Sequence, residues 1–311
     1  MLNLFDRFCL QNSFDLKASS KLRELLIAKK RDWSDFLQIL SLFLGGGLFA
    51  FGVVFFIAAN WESLGKFFKF FIVEVIMFGG VFAWYFLKNP LFKKVALMVS
   101  FITLGALLAL IGQVYQTGAN SWELFFYWAI LGIFWVVADR FEPLWLLWIA
   151  VVNLSAFLYF NFFSFYFLYL SNYYLIIFLN LSLFAIFETL DRLKIYPTLL
   201  VRRVLITIVV VSMTLSAIEA IFNFRVHFDI YPLLFTLLVA YFYTKKDHYS
   251  ISILALSFDV VVLSFIAKHL FKLRGIDIIF AFFVMSVISI TLALFTIKIV
   301  KSITKGESDD L

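Results

Sequence analysis

Runs of about twenty apolar residues recur down this chain, separated by short polar breaks that carry most of its charge. A helix rises about 1.5 Å per residue, so about 20 apolar residues are needed to cross the hydrocarbon of a bilayer. The pattern predicts ten such helices. The first five are Phe36 to Ala59, Phe67 to Leu87, Val95 to Val114, Trp122 to Ala138, and Leu144 to about Phe163. The next five are about Tyr173 to Phe187, Val204 to Phe222, Ile230 to Tyr243, Ser250 to Ala267, and Ile278 to Val300. The sixth and eighth are short for a span. The expected fold is therefore all-α, a polytopic transmembrane bundle of about ten helices.

Composition excludes the soluble alternative. Hydrophobic residues make up 64% of the chain and charged residues 15%, with a mean hydropathy of +0.99. A soluble domain carries about a quarter charged residues. Phenylalanine occupies 43 positions, more than an aqueous core of this size could bury, whereas lipid can cover them.

The net charge of +6 does not point to nucleic acid, because the basic residues lie in short breaks between apolar runs and not on one soluble face. Their distribution instead orients the chain. With the N-terminus inside, the cytoplasmic segments hold 20 of the 26 Lys and Arg residues and the opposite face holds 6. Both termini are thus expected in the cytoplasm. The first 35 residues are polar, so the first span is expected to act as an uncleaved signal. Within them, Asp15 to Arg31 reads as a basic amphipathic helix, suited to anionic lipid headgroups or to docking a cytoplasmic partner. Three regions follow from this organisation: the basic segment 1–35, a membrane region of two helical hairpins over 36–150, and further spans with a short tail over 151–311.

Two outward-going helices end alike. The first finishes in Ala58-Ala59-Asn60-Trp61-Glu62, and the third is followed by Gly118-Ala119-Asn120-Ser121-Trp122-Glu123. Such an echo is what a duplicated hairpin would leave. The run Ile57 to Glu62, the run Gly112-Gln113-Val114-Tyr115-Gln116-Thr117-Gly118-Ala119-Asn120, and Trp122 to Phe125 with Trp128 carry a resemblance. They resemble a family of predicted bacterial membrane proteins, domain of unknown function 2157, over roughly residues 10 to 150. The resemblance implies a bacterial inner-membrane protein and brings no activity with it. It does not extend to the later helices.

On the expected topology both motifs face outside. Asn60, Trp61, Glu62, Gln113, Tyr115, Gln116, Asn120, Trp122 and Glu123 could converge on one polar, aromatic-walled ligand or partner site. Tyr127 shares a helix face with Glu123 at i, i+4. The structural alternative stands beside this reading: Asn60 and Ser63 as helix caps, Trp61 and Trp122 as interfacial anchors, Gly118 as a turn residue.

Deeper in the bilayer lie Glu74 and Asp259. An ionised group at that depth costs about 2.5–3.5 kcal/mol, so each is either a proton or cation site or a hydrogen-bonded link between helices. Glu74 falls level with Gly52 and Ala106, and is expected to be hydrogen-bonded between the first three helices. Asp259 falls level with Ser286 and Ser289 of the last helix. Ser212, Ser216, Glu219 and Asn223 form a polar stripe expected to face the bundle interior.

Cys9 is the single cysteine, and His227, His248 and His269 sit in separate breaks, so no metal is expected. The sequence has no Walker phosphate loop, nucleophile elbow or dinucleotide fingerprint, and no cofactor is expected. The leading expectation is a non-enzymatic inner-membrane protein that binds or moves a small solute, ion or lipid. The alternatives are an envelope scaffold with a protein partner, or a membrane enzyme using Glu62 and Glu123 as acid and base.

Overall fold

The computed structural model describes residues 33–139, 141–163, 172–195, 198–222, 230–270 and 278–305. The basic segment 15–31, Asn223, His227 and the acidic tail lie outside them. Among the described residues there are ten helices and no strand. They are α1 (Trp33–Ala59), α2 (Lys66–Phe86), α3 (Pro90–Tyr115), α4 (Ser121–Ala138), α5 (Glu142–Phe163), α6 (Asn172–Arg192), α7 (Leu199–Phe222), α8 (Tyr231–Lys245), α9 (His248–Leu270) and α10 (Ile278–Lys305). Eight of them are long and apolar enough to cross a membrane.

Every predicted helix is present, and the differences lie at the ends. Helix α6 runs through Glu188 to Arg192, so it is not short; α8, at 15 residues, is. Charged residues that read as loop in the sequence continue the helices, because their heads can reach the headgroup layer while their stems stay on apolar surface. At the start of α3, Asn89 accepts the N–H groups of Leu91 and Phe92 at 2.9 and 3.4 Å, and Pro90 opens the helix where its missing N–H costs nothing.

Many of the large side chains that face outward are apolar. Phe67, Phe55 and Phe134 are 78%, 72% and 71% exposed, a surface that suits lipid and not water.

The chain divides into two compact units, Met1–Leu107 and Leu108–Leu311. In the first, close contact depends on small residues. A Cβ on Gly80 would stand 2.7 Å from the Ala96 carbonyl oxygen and 2.8 Å from Ser100 Cβ, and one on Gly46 would meet Val95 at 2.6 Å. Ser100 Oγ donates to the Met77 carbonyl at 2.6 Å, which ties α3 to α2 at the same level.

In the second unit α7 is central. Val201, Leu205, Ile206, Val209, Val210 and Met213 are buried, and α5, α6, α8 and α9 pack around it. The pairings give the directions. Trp148 Nε1 donates to the Ala129 carbonyl at 2.7 Å and Ser155 Oγ to that of Trp122 at 3.2 Å, so α4 and α5 are antiparallel. Thr207 meets Tyr249 at 3.0 Å, Thr214 meets Ser257 at 2.6 Å, and Lys268 Nζ donates to the Ile221 carbonyl. Residue numbers rise together along both helices, so α7 and α9 are parallel. The short α8 therefore reverses the chain between them.

Candidate functional site

The first motif closes α1 locally. Asn60 donates from its backbone N–H and from Nδ2 to the Phe56 carbonyl, at 3.1 and 2.8 Å, and Ser63 Oγ donates to the Asn60 carbonyl at 3.0 Å. These bonds satisfy groups that a helix end leaves orphaned. Ser63 does not cap the next helix, because α2 starts at Lys66 and the extended residue before it is Gly65. The Trp61 ring lies 3.5 Å from Lys69 Nζ, and Lys69 is 5% exposed. That cation–π contact gives a buried ammonium its counterpart and folds the turn onto α2. Glu62 is exposed.

The second motif stops α3 and starts α4. Gln116 takes a left-handed φ of +46°, and the Thr117 N–H reaches back to the Gly112 carbonyl at 3.3 Å, the closure of a Schellman end. Gly118 follows at φ +66°. Lys194 and Lys246 close α6 and α8 in the same left-handed way, so the Gln116 conformation marks a helix stop and not a site. Asn120 stands at the start of α4, and its Nδ2 donates to Glu123 Oε1 at 3.0 Å, which sets the carboxylate in the first turn beside the positive helix end.

Four of the residues singled out in the sequence meet around one cavity. Gln113, Asn120, Glu123 and Tyr127 line a space of about 670 Å³ with Leu108, Ile111 and Leu124. That lies within the usual range for small-molecule sites, about 300–1,000 Å³. Trp122 turns the other way: its ring packs 4.8 Å from Tyr159 and 6.1 Å from Phe163, joining α4 to α5. Tyr115 and Gln116 are exposed and do not line the cavity.

The intramembrane acids part company. Glu74 is exposed on α2, off the buried stripe Lys69, Val73, Met77 and Gly80. The expected seat between three helices is therefore wrong: one residue past Val73 is about 100° around the helix, on the outward side. Gly52 has nothing within 4 Å of a built Cβ, so no close approach occurs there. Asp259 is buried, and Thr296 Oγ1 donates to its Oδ2 at 2.7 Å. The expected partners Ser286 and Ser289 do not take that place, and Ser286 bonds to its own helix at Phe282. The register estimated from helix ends is off by about two to three turns.

On α7, Ser212 and Ser216 are buried and Glu219 is exposed. Next to that stripe, Ser257 joins Thr214 at 2.6 Å and Tyr231 at 3.1 Å, a hydrogen-bonded seam of α7, α8 and α9.

Two polar clusters escaped the sequence reading. Asn153 and Asn180 pair reciprocally at 3.1 and 2.6 Å, linking α5 to α6. The signal was there: each asparagine interrupts an apolar run as Asn-Leu-Ser. At the end of α6, Glu188 accepts Arg192 Nε at 3.2 Å, Lys245 Nζ at 3.2 Å and Arg202 Nη1 at 2.5 Å, and Arg202 also holds Asp191 at 2.9 Å. Ending α6 at Phe187 hid this carboxylate among loop charges.

Several apolar helices with lipid-facing aromatics, bearing both motifs, decide the comparison. Residues 15–145 match the family model described as Predicted membrane protein (DUF2157). No curated protein and no solved structure matches the chain. The DUF2157 stretch takes in both motifs, all of α1 to α4 and the start of α5. The chain is thus a multi-pass membrane protein, and the DUF2157 description assigns it no activity.

Proposed function

We propose that this is a multi-pass protein of the bacterial inner membrane, with both termini cytoplasmic, that binds a small polar solute or headgroup at its outer face. The site is the cavity at the α3–α4 turn. The observation that carries the reading is that Gln113, Asn120, Glu123 and Tyr127, drawn from one sequence motif and the following helix turn, line the same space. Glu123 Oε1 is held by Asn120, while among the described residues its second oxygen takes no hydrogen bond. One carboxylate flanked by amides and a phenol suits a ligand with a cationic or hydroxyl group.

Binding is favoured over movement across the bilayer, because Asp259 is bonded to Thr296 and Ser212 and Ser216 of α7 are buried. Movement was also to draw on a proton site at Glu74, which lies on an exposed face. Binding is favoured over acid–base chemistry because Glu62 does not line the cavity with Glu123, so the two carboxylates are not brought together as an acid and base pair.

The test is purification of the full chain in mild detergent, followed by mass spectrometry of every solute, lipid and protein retained. Wild type should retain a small molecule that Glu123→Gln and Tyr127→Phe lose, with unfolding midpoints unchanged. Identical retention by all three proteins overturns the reading. A retained envelope protein, lost when the Asn60 and Asn120 turns are exchanged, would replace it with a scaffold.

A further inference from the structure

We propose that a second cavity, where the ends of α6 and α8 meet the starts of α7 and α9, is an anion site that takes a phosphate group. The space is about 290 Å³, at the lower limit for ligand sites, so it fits a phosphate or a compact headgroup and not a drug-sized molecule. Four cations line it, Arg202, Arg203, Lys245 and Lys246, against two carboxylates, Glu188 and Asp247. The carboxylates are already occupied. Glu188 is held by Arg192, Arg202 and Lys245, and Asp247 Oδ2 accepts Ser250 Oγ at 2.7 Å.

Two cations are left over. Arg203 stacks 5.0 Å from the Tyr249 ring, its Nε is buried without a hydrogen-bond partner, and no carboxylate pairs with it among the described residues. Lys246 sits in the left-handed stop of α8, exposed, with no carboxylate partner among the described residues. A planar guanidinium and a neighbouring ammonium are the pair that recognises phosphate oxygens. The helix starts at this end do not carry the argument, because Glu142 Oε1 already accepts the Leu200 N–H at 3.1 Å and Asp247 precedes α9. The charge count places this end at the cytoplasmic surface, where anionic lipid phosphates are concentrated. The same chemistry would serve a free phosphate.

The experiment titrates the delipidated full chain in uncharged detergent by calorimetry, with inorganic phosphate in one arm and short-chain phosphatidylglycerol in the other. Wild type should bind one equivalent in at least one arm; binding of inorganic phosphate assigns a free anion, and binding of the lipid alone assigns a headgroup. Arg203→Gln with Lys246→Gln should weaken binding about tenfold or more, while Glu188→Gln, which removes the negative charge facing Arg192, Arg202 and Lys245, should leave it unchanged or tighter. If the double variant loses its wild-type unfolding midpoint, Lys246→Gln alone, at an exposed position, carries the comparison. No binding in either arm, or equal binding by the charge-removed variant, overturns the proposal.

Discussion

Asn180 is fully buried in an apolar helix and still makes three hydrogen bonds, two with Asn153 and one from Nδ2 to the Ile176 carbonyl at 2.8 Å. In lipid such an amide has no water to fall back on, so the pair joins α5 and α6 at a defined level. Asn153→Leu should therefore cost about 1 kcal/mol in an unfolding titration in mixed micelles, since it leaves the Asn180 amide partly unsatisfied. Adding Asn180→Leu should recover most of that loss, because removing both partners is close to neutral. A double variant that is less stable than either single one would show that packing, not the amide pair, sets the cost. The chemistry of these residues was legible in the sequence as polar breaks in apolar runs. Their partners were not, because pairing depends on helix rotation and register. Glu74 shows the same gap from the other side: its depth follows from counting, while its outward orientation follows from which stripe of α2 packs.

At the scale of elements, apolar length alone predicts all ten helices, and the misses fall where charge and capping decide. The five extra residues at the start of α3, Pro90 to Lys94, hold two lysines that read as loop, yet Asn89 and Pro90 form a helix start that the sequence already contained. Contacts between helices were less legible. Glycines occur as Gly45-Gly46-Gly47 and Gly79-Gly80, and sequence does not say which of them meets a neighbour. The structure separates the last pair: Gly80 faces Ala96 and Ser100, whereas Gly79 has open space around it. Gly80→Ala should destabilise the first unit by about 1–3 kcal/mol through overpacking against backbone, measured by thermal unfolding in detergent. Gly79→Ala should be neutral or stabilise by up to about 1 kcal/mol from helix propensity. Equal effects at the two positions would mean that α2 and α3 do not approach through Gly80.

For the whole molecule the open issue is how the chain threads the bilayer, and α8 decides it. Its 15 residues extend about 22 Å, short of the hydrocarbon thickness of about 30 Å. A helix that failed to cross would place α7 and α9 in opposite directions relative to an alternating count. They are parallel, as Thr207 with Tyr249 and Thr214 with Ser257 require, and α8 begins well inside the unit, where the Tyr231 hydroxyl meets Ser257. Its other end reaches Glu188 through Lys245. The two ends of α8 therefore point toward opposite ends of the unit, as alternation demands. The Glu188 cluster gathers at the end that the basic residues assign to the cytoplasm, and the cavity of the second motif follows α3 at the end assigned outside. Single-cysteine variants in a Cys9→Ser background test this threading with a membrane-impermeant thiol reagent. Ser63→Cys and Ser121→Cys should label in intact spheroplasts, while Lys194→Cys and Lys246→Cys should label after lysis alone. The reverse pattern at all four positions would invert the protein, moving the proposed solute site to the cytoplasm and the phosphate site to the outer surface. Labelling of Lys194→Cys and Lys246→Cys from opposite sides would break the alternation itself, and with it the role of α8 as a reversing element.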